Sequence, residues 1–192
     1  LGMTYSYEDN HSGAVERYDA SREHDSQYTP AMVNEGFSLA LDKKFSESQN
    51  LLRKASQTSD PTMSSLASLY LVESYILEGL KTNEVSIFKK AYNKADFLAK
   101  RFYDGRQEAK LFQAYAASRM GKNNEVSSLV EEALNVDPDL TGLHAHSPNV
   151  DWRGLKWSYF SFTCDKLIPM VSGDIRKQLE FTCSYQSLSD SR

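Results

Sequence analysis

The strongest constraint on the fold is a recurrence at a fixed step. Gly2 and Gly36 stand 34 residues apart (36 − 2). Tyr5 and Leu39, Ala14 and Ser48, Tyr18 and Leu52, and Ser21 and Ala55 keep the same spacing. Each pair preserves its chemical character, small with small and large apolar or aromatic with large apolar. A fixed period of this size marks a repeated supersecondary unit, which cannot bury its apolar face alone and so stacks on its neighbours. From Ala55 to Ala133 lie 78 residues (133 − 55), two periods of about 39, so the middle copy must be stretched.

The second copy is the clearest. Thr29-Pro30 reads as a cap followed by proline in the first helical turn, where its missing N–H costs nothing. A first helix then carries Met32, Gly36 and Leu39, Asp42-Lys43-Lys44 turns the chain, and Phe45 packs at the corner. Leu51, Leu52 and Ala55 line a return helix, and Asp60-Pro61 closes the unit. In the last copy Ala114 and Ala117 are the small residues where helices cross, Met120-Gly121-Lys122 is the turn, and Ala133 precedes Asp137-Pro138. The middle copy reads as helices over 65–80 and 85–102 joined by Lys81-Thr82-Asn83-Glu84, with extra turns at the helix ends supplying the added length.

These features resemble the tetratricopeptide repeat, a helix-turn-helix of this length with Gly in its first helix. Leu1, Gly2 and Tyr5 resemble the "L-G-x-x-Y" of that motif, so the chain is expected to begin inside a repeat of a longer protein. The resemblance implies an all-α, right-handed α-solenoid over residues 1–140, with repeats at 1–27, 28–61, 62–103 and 104–140, and a C-terminal capping helix pair within 141–192. Glu35, Glu73 and Gln113 depart from the motif, standing where it usually has Leu, and Lys110 replaces a bulky aromatic.

Beyond residue 140 the Gly, Ser, Pro and Asn of "TGLHAHSPNVDW" read as a loop. In "WRGLKWSYFSFTCDKLIPMV" Trp152, Leu155, Tyr159 and Phe162 fall at helical spacing, although the stretch also alternates briefly as a strand would; helix is preferred. A last helix from Gly173 to Leu188 would carry Phe181, Tyr185 and Leu188 on one side, ahead of a frayed Ser189–Arg192 tail. A turn near Gly173 would bring Cys164 and Cys183 to similar heights on antiparallel helices, which permits a disulfide; an intact bridge would favour an oxidising compartment.

Lys+Arg 22 against Asp+Glu 26 gives a net charge of −4, which removes the general attraction on which nucleic-acid binders rely. Lys89, Lys90, Lys94, Lys100, Arg101, Arg106 and Lys110 form a basic stretch, read first as a solvated helix face and second as a seat for an anionic partner. No apolar run approaches the roughly 18 residues of a membrane span. No phosphate loop, G-x-S-x-G or H-E-x-x-H occurs, so neither catalysis nor a cofactor is expected. His144 and His146, with Asp151 near, faintly suggest metal ligation, but two loop histidines are more often solvated, and no metal is expected.

Binding is the better expectation. On the first helices the groove residues would be Asn34, Phe37 and Leu41, then Leu71, Tyr75 and Glu78, then Phe112, Tyr115 and Arg119, with Tyr75 and Tyr115 the preferred exposed anchors. The resemblance implies that Asn34 holds a ligand's backbone. The family's carboxylate clamp is not expected, because Ser68, Val72, Glu108 and Phe112 stand where it needs Lys and Arg. The expected function is therefore a non-enzymatic scaffold or adaptor for a peptide or helix of a protein partner. Alternatives are a regulatory or oligomerisation module of a larger signalling or transcription protein, and an assembly protein of pilus or secretion systems. Self-association stays open, and a cytoplasmic location is favoured slightly over a periplasmic one.

Overall fold

The computed structural model describes residues 10–102, 106–138, 150–151, 156–157 and 163–189. It is built of helices: α1 (His11–His24), α2 (Thr29–Leu41), α3 (Phe45–Ala55), α4 (Pro61–Thr82), α5 (Val85–Arg101), α6 (Arg106–Arg119), α7 (Asn123–Leu134) and α8 (Gly173–Ser189). From α1 to α7 every helix packs on the next in the chain, and α2, α4 and α6 also pack on one another in sequence. The expected repeat step is visible in α1 and α3, which begin 34 residues apart and bury Ala14 and Tyr18 in the one, Ser48 and Leu52 in the other. Gly2 and Tyr5 lie outside the described residues.

The helix starts follow from local chemistry. Asp60 caps α4, its Oδ1 accepting from the Thr62 and Met63 amides at 2.9 and 3.1 Å, and Pro61 occupies the first helical position. Pro30 sits in the first turn of α2 after Tyr28, which has no side-chain cap. Asn10 caps α1 by accepting from Gly13 N at 2.9 Å.

The three hairpin corners share one backbone device. Lys43, Asn83 and Gly121 have φ of 65°, 58° and 76°, the left-handed conformation that ends a helix and turns its last carbonyls back on the chain. Lys44 N donates to Leu39 O and Lys122 N to Ala117 O, both at 2.9 Å. The added length of the middle unit lies in its helices, α4 having 22 residues and α5 having 17.

Two kinds of helix alternate. On α5 the buried residues Ile87, Phe88, Ala91, Ala95, Leu98 and Ala99 form one stripe, and α3 and α7 are similarly one-sided. On α4 burial runs almost unbroken from Ala67 to Ile76, and α2 and α6 are covered comparably. α2, α4 and α6 are therefore an inner layer, clothed by α1, α3, α5 and α7.

Close approach of α2 to α3 depends on Gly36. A Cβ on Gly36 would meet Leu52 Cγ at 2.6 Å and Cδ2 at 2.7 Å, and Leu52 is fully buried. Ser74 occupies the matching site of α4, its Oγ receiving a 3.1 Å hydrogen bond from Ser48 of α3. Ala114, fully buried, does so on α6.

The C-terminal part departs from the expected helix pair. Val150–Asp151 (β1) and Lys156–Trp157 (β2) form a short antiparallel ladder, Val150 opposite Trp157 and Asp151 opposite Lys156. A π-helical turn at Thr163–Leu167 and a 3₁₀ turn at Ile168–Met170 follow. The brief alternation outweighs the helical spacing there, because a continuous helix would hold Gly154 and Pro169 inside it, at about 1 and 3 kcal/mol relative to alanine. Trp152, Leu155, Tyr159 and Phe162 lie outside the described residues, as does the 190–192 tail.

Cys164 of the π turn and Cys183 of α8 form a disulfide, with Cα atoms 6.0 Å apart across the turn at Gly173, φ 64°. Leu167, Val171 and Leu179 join the same core as α4–α7. Phe181, expected on one side of α8 with Tyr185 and Leu188, is 71% exposed; the side chains of Tyr185 and Leu188 lie outside the described set.

Replacing Gly36 with alanine should force Leu52 or the α2–α3 crossing to shift and cost about 1–3 kcal/mol. Urea unfolding of Gly36→Ala measures it, and an unchanged midpoint would show that the contact is loose.

Candidate interaction surface

Burial divides the nine residues expected to line a groove. Phe37, Leu71, Tyr75, Phe112 and Tyr115 are buried, with exposures of 9%, 2%, 8%, 1% and 4%. Asn34, Leu41 and Glu78 are half-buried and Arg119 is exposed. The expectation that Tyr75 and Tyr115 stand exposed is thus corrected: the inner helices are covered from more than one side, so their aromatics meet neighbouring helices. Phe37 stacks on Tyr70 with ring centroids 4.2 Å apart, and Phe88 meets Tyr115 edge-on at 6.4 Å.

The C-terminal ends of the inner helices keep apolar residues partly exposed. Leu41 on α2, Leu77 and Leu80 on α4, and Met120 just after α6 are half-buried apolar residues resting on the core. Polar groups flank them. Glu78 Oε2 accepts from Gln49 Nε2 at 2.7 Å, while Arg119 donates to Asn83 Oδ1 at 2.9 Å and covers the Phe88 ring at 5.2 Å. Sequence reasoning gave Leu77 and Leu80 no role and placed Met120 only in a turn.

The residues that depart from the repeat motif explain two polar clefts. Glu35, Glu73 and Gln113 are all buried, each directly before a small crossing residue. Glu35 is held from α1 by Arg22, whose Nη1 donates to both carboxylate oxygens at 2.9 and 2.7 Å. Burial raises the Glu35 pKa above 4.5, against the opposing pull of Arg22. This pair lies in a cleft of about 470 Å³ between α1 and α3, lined also by Asp19, Glu47 and Asn50.

A second cleft, about 360 Å³, lies between α5 and α7, with Gln113 of α6 at its lining. Gln113 Nε2 donates to Asp96 Oδ1 at 3.3 Å, and its buried Oε1 has no partner among the described residues. Tyr92 donates to Glu125 Oε2 at 2.7 Å, and Lys122 Nζ reaches Glu125 Oε1 at 2.9 Å. Burial, then the Glu125 carboxylate, raises the Tyr92 pKa; hydrogen bonds from Lys122 and Tyr92 hold the Glu125 carboxyl low. Lys110, the other departure, pairs with Glu132 at 2.7 Å. Both clefts mix charged and amide groups with apolar ones, Val15, Leu39 and Leu51 in the first and Leu129 in the second.

No protein-family model matches this chain, and no curated protein matches it.

Among the described residues no group of His, Cys, Asp and Glu could hold a metal, and no helix is long and apolar enough to cross a membrane. His144 and His146 lie outside the described residues, as does the side chain of Asp151.

The raised Glu35 pKa has a testable sign. Between 4.5 and its higher folded value, the folded state holds this proton more tightly than the unfolded chain does. The stability due to this group is fully present below 4.5 and is lost as pH rises through the folded value. Glu35→Gln, which does not titrate, should flatten that part of the pH–stability curve in urea unfolding; an unchanged slope would place the titration elsewhere.

Proposed function

We propose that the chain is a non-enzymatic scaffold or adaptor whose stacked helical hairpins form a right-handed, tetratricopeptide-like solenoid and hold a peptide or helix of a partner protein. Support for the architecture comes from the 34-residue step between the starts of α1 and α3, and from the left-handed corner at Lys43, Asn83 and Gly121 of successive hairpins. The order of packing, each helix on its chain neighbours and alternate helices on one another, is that of a repeat array. The part from Thr163 to α8, stapled by its disulfide and sharing the core, is suited to cap the last hairpin.

One observation carries the binding reading: half-buried Leu41, Leu77, Leu80 and Met120 recur at the ends of successive inner helices, beside Glu78 and Arg119. Apolar anchors ringed by polar groups are how protein surfaces take a partner's helix or strand. Asn34 lies further back on α2, half-buried and in reach of solvent, whereas Phe37, Leu71, Tyr75, Phe112 and Tyr115 support the surface from below.

The experiment is selection of displayed peptides on the intact chain, followed by affinity measurement against Leu41→Lys/Leu80→Lys. Both side chains are partly exposed, so helicity should persist while selected peptides lose about tenfold or more in affinity. Peptides that bind the double variant as tightly as the parent would remove this surface from the proposal.

A further inference from the structure

Several cations lack an ion-pair partner among the described residues, and four of them cluster on α5 and α3. Lys44, Lys100, Lys110, Lys122, Arg176 and Lys177 each pair with a carboxylate at 3.0 Å or less. Lys90, Lys94 and Arg101 of α5, and Arg53 of α3, have no carboxylate in ion-pair range among the described residues. They are not scattered. Positions 90, 94, 97 and 101 follow the helical period, placing Lys90, Lys94, Phe97 and Arg101 along one stripe of α5.

Arg53 joins the stripe over α4. Its Nη2 donates to the Tyr75 hydroxyl at 3.5 Å, and Lys90 Nζ stands 6.0 Å from the centre of the same ring. Lys94 Nζ lies 5.1 Å from the Phe97 ring, and Arg101 Cζ lies 5.5 Å from Phe97 and 5.4 Å from Phe102. Phe97 itself is 46% exposed. Glu78, one turn past Tyr75 on α4, is engaged by Gln49. The crowding has an electrostatic signature, since burial and then Arg101 and Arg53 lower the Lys94 pKa. An anion set here would relieve that repulsion.

We propose that the stripe of Arg53, Lys90, Lys94 and Arg101 around Phe97 is the docking site for an acidic segment of a partner protein, with carboxylates on the cations and an apolar side chain on the ring. The proposal rests on the scaffold reading and names the chemistry of a partner. From residue 90 to 101 the stripe spans about 16 Å, the length of about five extended residues. Charge complementarity selects the occupant. A long polyanion such as nucleic acid would meet a molecule of net charge −4 beyond this one stripe, whereas a short acidic peptide need touch nothing else.

The test is fluorescence anisotropy with a labelled Glu-rich peptide of about ten residues containing one Phe, with a Lys-for-Glu version, an oligo-dT strand and phosphatidylserine vesicles as competing probes. The acidic peptide should bind, weaken with salt, and lose about tenfold or more in Lys90→Glu/Arg101→Glu. Arg176→Glu/Lys177→Glu, which changes net charge equally at exposed sites of α8, should bind within about twofold of the parent. On the unmodified chain, amide shifts on titration should concentrate in α5 and α3. No binding by the acidic peptide, equal loss in the control variant, shifts elsewhere, or tighter binding of oligo-dT or vesicles would each overturn the proposal. If it fails while peptides selected on Leu41 and Leu80 still bind, the scaffold reading stands; if both fail, both fall.

Discussion

The inner helices α2, α4 and α6 are buried around most of their circumference, and no single neighbour can cover a helix so completely. Ala67–Ile76 of α4 is buried because α3, α5, α2 and α6 all lie against it. The outer helices need only one apolar stripe and keep charged faces. The alternation of these two helix types sets the order of packing, and Gly36 and Gly79 allow close approach to Leu52 of α3 and Phe88 of α5.

The same crowding governs the polar groups. A buried carboxylate or amide is tolerated where a partner reaches it, and the partner comes from the preceding outer helix: Arg22 of α1 for Glu35, Asp96 of α5 for Gln113. These groups line clefts between outer helices. On the outer faces, Arg53, Lys90, Lys94 and Arg101 lack a carboxylate partner among the described residues and lie together on α3 and α5.

Much of the hairpin order was legible in the sequence. Ala14 and Ser48, and Tyr18 and Leu52, announced equivalent helices because a fixed period in small and large residues has few other physical origins. Asp60-Pro61 and Met120-Gly121-Lys122 marked boundaries through capping and left-handed backbone. The site was less legible. Periodicity separates covered from uncovered faces only when a helix is covered on one side, so Tyr75 and Tyr115 looked available when α4 and α6 are clothed nearly all round. The strand-like ladder at Val150–Asp151 and Lys156–Trp157 was hidden by a helical spacing that Gly154 and Pro169 would not sustain.

The central claim is that the inner helices are held by neighbours on both sides while the ends are held on one. Native-state hydrogen exchange tests it directly. Amides of α4 should exchange slowest, opening only with global unfolding, whereas those of α1 should exchange through cheaper local opening. Protection in α4 no greater than in α1 would contradict the account.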